Sequence, residues 1–208
     1  MNHWLETSKR NLIPLSQASS FREALSEWSF TGIVIDYDHE EIECELCEHP
    51  DLAHHFEIQN ATNSNRLLVG SSCILKFSEI NIRDDTGRSI TDHDERQHHL
   101  EDALKKKLVE TMLEPLRTLW LKDKAYRQEI ERSAKRLKAG NGVAPGDLLL
   151  LFQRMEWHKI PYSAKRYKLT LRSQFDQWDM SKIPTKELIK IKLALSSAQL
   201  KKHAQLFN

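Results

Sequence analysis

Apolar residues recur every four positions along one stretch of the chain, at Leu100, Leu104, Leu108, Met112, Leu116 and Trp120, with Leu113 and Leu119 widening the stripe. That period predicts an amphipathic helix over 97–138. Pro115 should kink or divide it, because proline removes a backbone donor, and Gly140-Asn141-Gly142 ends it. Upstream the pattern is shorter in range. Ser20 stands three residues before Glu23, as in a capping box, ahead of a face made by Phe21, Ala24, Leu25 and Trp28. The β-branched run from Thr31 to Asp36 predicts a strand. The segment His54-His55-Phe56-Glu57-Ile58-Gln59 alternates in polarity, Asn60-Ala61-Thr62-Asn63-Ser64-Asn65 is rich in turn formers, and Arg66-Leu67-Leu68-Val69-Gly70 follows, which together predict a β-hairpin. Ser71-Ser72-Cys73 then opens a helix with a serine as N-cap. Towards the C-terminus, Asp147 can cap a helix through Trp157, 167–171 alternates like a short strand, Thr185 can cap a helix to Leu195, and Ser196 or Ser197 starts the last one.

These elements make an α+β fold: a small β-hairpin and helix module, then a long kinked helix and a helical C-terminal subdomain. The domain reading is an N-terminal region 1–80 containing the module (about 43–77), a polar connector 81–96 around Asp84-Asp85-Thr86-Gly87, and a mainly helical domain 97–208. A chain of 208 residues can bury cores of that size. Its 39% hydrophobic and 29% charged content excludes low complexity and wholesale disorder. No apolar run nears the roughly 20 residues of a membrane helix. The first residues lack the pattern of a secretory leader, so the expected location is cytoplasmic.

In a reducing compartment an odd cysteine count favours metal over disulfide, and two of the three cysteines form the knuckle Cys44-Glu45-Leu46-Cys47. A C-x-x-C knuckle lets two thiolates face one tetrahedral centre, and Cys73, at the start of a predicted helix whose dipole favours a thiolate, supplies a third. The fourth ligand falls among His49, His54 and His55; alternation places His54 with Phe56 and Ile58, and His55 with Glu57. Sulfur-rich tetrahedral sites select Zn2+. The plainer alternative is three free thiols buried as small hydrophobes. A thioredoxin-like dithiol would need its first cysteine at a helix start in a βαβ context, which is absent.

The segments Cys44-Glu-Leu-Cys47, His55-Phe-Glu-Ile-Gln-Asn60 and Leu68-Val-Gly-Ser-Ser-Cys-Ile74 resemble a small treble-clef-like zinc module of uncharacterised bacterial and phage proteins, with a C-x-x-C knuckle and a V-G-S-x-C-I helix start. The resemblance covers about a quarter of the chain and implies a metal-stabilised module without a catalytic mechanism. Such knuckles often carry glycine after the second cysteine, where this chain has Glu48.

Charge changes the picture further. The net charge of +1 hides an excess of 12 Asp or Glu over 3 Lys or Arg in residues 1–60, against 23 Lys or Arg over 12 Asp or Glu in 101–208. The basic candidates are Lys105, Lys106 and Lys107, then Lys124, Arg127, Lys135, Arg136 and Lys138, then Lys165, Arg166, Lys168 and Arg172 around Tyr167. Clustered cations beside an aromatic suit the phosphates and bases of DNA or RNA. Against this, Asp123/Arg127 and Glu131/Lys135 have the spacing of ordinary surface pairs. The acidic N-terminal region offers a docking face for a basic protein partner. The five tryptophans are expected in cores.

Other chemistry is unsupported. No P-loop, dinucleotide fingerprint, H-E-x-x-H or G-x-S-x-G motif is present. Asp92-His93-Asp94 reads as an acidic helix start. The expectation is therefore a non-catalytic zinc-containing protein that binds nucleic acid through its basic half. The alternatives are an adaptor subunit of a larger bacterial or phage assembly, and a zinc enzyme with three cysteines and an open coordination position.

Overall fold

The computed structural model describes residues 3–37 and 42–206. The chain divides into two compact units, Met1–Lys107 and Leu108–Asn208. The fold is α+β, with nine α-helices and one three-stranded antiparallel sheet among the described residues.

The first unit opens with α1 (His3–Leu12) and α2 (Phe21–Ser26), the latter capped by Ser20, whose hydroxyl accepts from the Glu23 amide. Strands β1 (Trp28–Asp36), β2 (His54–Asn60) and β3 (Arg66–Val69) form the sheet in that order. The expected hairpin is β2–β3, in register from Phe56↔Val69 to Gln59↔Arg66. The β1–β2 register shifts between Phe30 and Val34, where Gly32 takes a φ of +84° that a side chain would strain. Trp28 is fully buried and donates its indole N–H to Ser16 Oγ at 2.9 Å, so the largest side chain of this core leaves no unpaired donor. Helix α3 (Ser71–Lys76) follows β3, but Gly70 occupies its N-cap position and no serine side chain caps it.

The polar stretch 81–96 lies inside the first unit, not between units. Ile82 and Ile90 are buried, the Ile90 amide donates to Ile82 O at 2.8 Å, and Asp84 closes the intervening turn by accepting from Thr86 and Arg88. Two isoleucines folding back on each other were hidden by the acidic residues around them. Helix α4 (His93–Lys122) starts in this unit, where Asp92 accepts from the Glu95 amide and Leu100 joins the core.

One half-buried carboxylate ties several of these pieces together. Glu27 accepts from the amides of Gln17 and Ala18, from Asn60 Nδ2 at 2.6 Å and from Thr62. The Gln17 amide first and Asn60 next, with lesser help from Ala18 and Thr62, hold its pKa below the ordinary range against the opposing effect of burial. A carboxyl with a depressed folded pKa adds stability above its unfolded pKa of about 4.3 and loses that stability as pH falls through the folded value. Glu27→Gln is therefore expected to lower the thermal midpoint at neutral pH, and to flatten the fall in midpoint below about pH 4.3. Parallel pH series of thermal melts on the two proteins check this; identical acid limbs would contradict it.

The second unit comprises the later part of α4 with α5 (Arg127–Lys138), α6 (Pro145–Trp157), α7 (Gln174–Ser181), α8 (Thr185–Lys192) and α9 (Ser197–Lys202). The long helical stretch is not divided at Pro115, which lies within α4. It divides at Asp123, where φ −106° and ψ 84° leave the helical region. The Asp123 side chain is buried there and accepts from Arg154 Nε at 2.5 Å, with His158 Nε2 at 3.2 Å. Burial raises its pKa, but the Arg154 and His158 contacts outweigh that and hold it low. Helix α6 has Ala144 at its N-cap and Asp147 in its first turn, and α9 is capped by Ser196 through a capping box with Gln199. The alternation at 167–171 is real in burial, with Tyr167, Leu169 and Leu171 inside, yet it yields only a single bridge, Val143↔Leu169, because no neighbouring strand is available. Of the five tryptophans, Trp28 is core, whereas Trp120, Trp157 and Trp178 are exposed. No helix among the described residues is long and apolar enough to cross a membrane.

Candidate metal centre

The knuckle is built by backbone bonds. Ile42 and Leu52 pair as its stem, the Cys44 amide donates to His49 O at 2.9 Å, and the Glu48 amide donates to Cys44 O at 2.8 Å. Glu48 takes a φ of 58°, the left-handed conformation for which glycine is the usual residue. Its carboxylate accepts from Arg10 Nη2 at 2.5 Å and Asn11 Nδ2 at 3.0 Å, contacts from α1 that a glycine would lack. Glu45 fastens the knuckle to β3, bonding Leu68 through both its amide and its carboxylate. The β3 strand then delivers Gly70, whose amide donates to Cys44 Sγ at 3.4 Å, and α3 carries Cys73 in its first turn.

This framework brings the three cysteines together although 26 residues separate Cys47 from Cys73. Cys73 Sγ lies 3.7 Å from Cys44 Sγ and 3.3 Å from Cys47 Sγ, and all three sulfurs lie within 4.8 Å of one another. A tetrahedral ion with metal–sulfur bonds of about 2.3 Å separates its sulfurs by about 3.8 Å, so this group can hold a metal ion. The cysteines are free, with Cys44 and Cys73 buried and Cys47 half-buried. The Cys44 thiol is lowered to about 5, chiefly by its contact with Cys73 Sγ, and further by the amides of Gly70, Cys47 and Leu46, against the effect of burial. The same contact, burial and the neighbouring sulfurs push Cys73 upward. Metal binding at such a cluster releases thiol protons, and amide donors at Cys44 favour its thiolate. Among the described residues this is the one group of three or more such ligand atoms, and Asp92-His93-Asp94 forms no second one.

The candidate histidines separate clearly. His49 and His54 line a cavity of about 320 Å3 together with the three cysteines, while His55 does not. His55 is fully buried on the opposite face of β2, its Nε2 3.0 Å from Glu43 O and its ring edge-on to Tyr37. None of the three histidines joins the group the sulfurs form.

The basic candidates are scattered between engaged and exposed positions. Arg127 donates to Trp120 O and lies over the Trp120 ring at 4.3 Å, not against Asp123. Arg136 donates twice to Gly142 O, and Lys135 pairs with Glu131 at 2.6 Å as the i,i+4 spacing predicts. Arg166 is half-buried; Lys105, Lys106, Lys124, Lys138, Lys165, Lys168 and Arg172 are exposed. Lys105, Lys106 and Lys107 belong to the first unit. The unit boundary coincides with the charge division: 20 Asp or Glu and 11 Lys or Arg on one side, 10 and 20 on the other. Sequence reasoning missed two features that only the fold reveals. One is Asp36 opposite His54 on β1; the other is a groove of about 490 Å3 between α4 and α5, lined by Leu113, Leu116, Trp120, Leu121, Ile130 and Ala134 with Arg117 and Lys138 at its edge.

Comparison with family models, curated proteins and solved structures gave no match.

Proposed function

We propose that this is a non-catalytic zinc protein whose Cys44, Cys47 and Cys73 hold a structural ion, and whose basic second unit binds the backbone of DNA or RNA. The convergence of a knuckle and a helix start on one sulfur cluster carries the first part. Sulfur ligands favour zinc, and the surrounding hairpin and helix are the elements of a treble-clef-like module. The second part rests on the segregation of charge between the units and on exposed Lys138, Lys165, Lys168 and Arg172. Phosphate binding releases counterions, so affinity for generic DNA or RNA should fall steeply with salt. Replacing those four residues by alanine is expected to lower affinity and to reduce the slope of log K against log salt by about 0.9 for each phosphate of duplex DNA that the variant leaves unneutralised. Fluorescence anisotropy with labelled duplex and single strands measures both. No binding at low salt, or a slope unchanged in the variant, would remove this function.

A second reading, a protein–protein adaptor, draws on different observations. Arg127, Arg132, Lys135 and Arg136 are engaged within the protein, and the α4–α5 groove leaves Leu121 65% exposed. An apolar floor with Arg117 and Lys138 beside it suits an acidic amphipathic helix. The acidic first unit would meet a basic partner. Co-purification of a defined protein that depends on Leu121, with no nucleic-acid binding at low salt, would favour this reading.

A further inference from the structure

Three sulfurs leave a tetrahedral ion one ligand short, and the chain supplies no fourth cysteine. The position three residues before Cys73, where a second C-x-x-C knuckle would place its first sulfur, is Gly70, and a Cβ there would press on the Leu52 side chain at 3.1 Å. The missing ligand must come from another element. We infer that it is His54, binding through Nε2, with Asp36 on the neighbouring strand as the residue that orients its ring. This inference rests on the metal reading above.

The strand register selects His54. Asp36 and His54 are cross-strand partners, so their side chains share a face of the sheet. His54 Nδ1 lies 3.5 Å from Asp36 Oδ1, and the Asp36 side chain is only 3% exposed. Nδ1 is itself buried and makes no hydrogen bond with ordinary geometry, so the carboxylate is the partner that favours a proton on it. A proton on Nδ1 leaves the Nε2 lone pair free, which is the arrangement in which carboxylates orient metal-binding histidines. Pairing of β2 with β3 ends at Phe56↔Val69. Two residues beyond that pair come His54 on β2 and Ser71 at the start of α3, and both line the cavity that contains the sulfurs.

The other histidines fit less well. His55 faces away, with Nε2 committed to Glu43 O. His49 lines the cavity but is exposed on the knuckle turn, and it is not a cross-strand partner of a carboxylate as His54 is. The His54 nitrogens stand outside the group of sulfurs that lie within 4.8 Å of one another, so ligation draws ring and sulfurs together when the ion binds.

The test is cobalt substitution of the full chain, reading thiolate charge-transfer and ligand-field bands, with zinc affinity from competition against a chromophoric chelator. His54→Ala should keep the charge-transfer intensity of three thiolates, shift the ligand-field bands and weaken zinc binding by at least 10- to 100-fold. His54→Cys should recover tight binding with the spectrum of four thiolates. Asp36→Asn should keep the bands of the wild-type ligand set while weakening affinity about 10- to 100-fold. His49→Ala and His55→Ala should leave the bands in place. Wild-type bands and affinity in His54→Ala would overturn the assignment while leaving the three-cysteine site standing. A wild-type protein that takes up neither cobalt nor zinc would overturn both.

Discussion

Cys73→Ser is expected to abolish stoichiometric zinc and to lower the thermal midpoint of the first unit by about 10–20 °C in zinc-containing buffer. The magnitude follows from linkage. An ion present at about 100 times its Kd adds roughly 2.7 kcal/mol to the folded state, and for a unit of this size each kcal/mol moves the midpoint by about 4–8 °C. Much larger effects occur in zinc peptides, where binding of about 10–16 kcal/mol is the whole of folding. This module differs because Trp28, Ile58, Ile74, Ile80 and Leu100 give it a buried core of its own. The core should survive metal loss while the knuckle and the start of α3 loosen, since the sulfurs are what join them. Calorimetry of wild type and variant, each with zinc and with chelator, separates the contributions. In chelator the two proteins should melt nearly together; in zinc they should part. Retention of one zinc per chain by Cys73→Ser, or a wild-type midpoint indifferent to chelator, would end the structural-metal reading.

How far this was legible in the sequence depends on the range of the interactions concerned. The hairpin was readable because alternation over 54–59, asparagine-rich turn chemistry and the short apolar run at 66–69 are local signals. The cysteines were readable because a knuckle is encoded within four residues, and the helix start bearing Cys73 is marked by the end of a strand. The break at Asp123 was not, because it is fixed by Arg154 and His158, both more than thirty residues further along the chain. Pro115 was the more visible signal, yet proline costs one helical bond and the chain continues through it. The polar stretch 81–96 misled for the opposite reason. Its composition is that of a linker, while its two isoleucines are the part that determines where it goes. The choice among His49, His54 and His55 also needed tertiary information. Alternation could assign faces to His54 and His55, but only the β1–β2 register puts Asp36 beside one of them.

Arg96 was silent in the sequence, and its replacement is expected to have the second largest effect. The side chain is 3% exposed, in the first turn of α4. Its Nη2 donates to Ile74 O at 2.7 Å, Ile80 O at 2.9 Å and Phe77 O at 3.4 Å, and its Nη1 to Ile90 O at 3.3 Å. Helix α3 is six residues long, so its closing carbonyls have no partners within the helix and must find them elsewhere. A guanidinium answers several carbonyls at once, and its charge suits the negative end of the helix. Burial lowers the Arg96 pKa, with the Glu79 charge opposing, but an arginine stays protonated. Arg96→Met keeps the packing and strands the Ile74, Ile80 and Ile90 carbonyls in the core, while the Phe77 carbonyl keeps the Ile80 amide, at a cost of about 3–5 kcal/mol. Arg96→Lys retains charge but offers a single point of donation, so it should fall between the two. With a urea m-value of about 2 kcal/mol/M, the methionine variant should unfold at a midpoint lower by roughly 2 M. Since the same helix carries Cys73 at its other end, zinc affinity should weaken in parallel with the midpoint, although Arg96 makes none of the hydrogen bonds to the sulfurs. A methionine variant with a wild-type midpoint would mean that the Ile74, Ile80 and Ile90 carbonyls are satisfied without the guanidinium, and that α3 does not depend on α4 for its end.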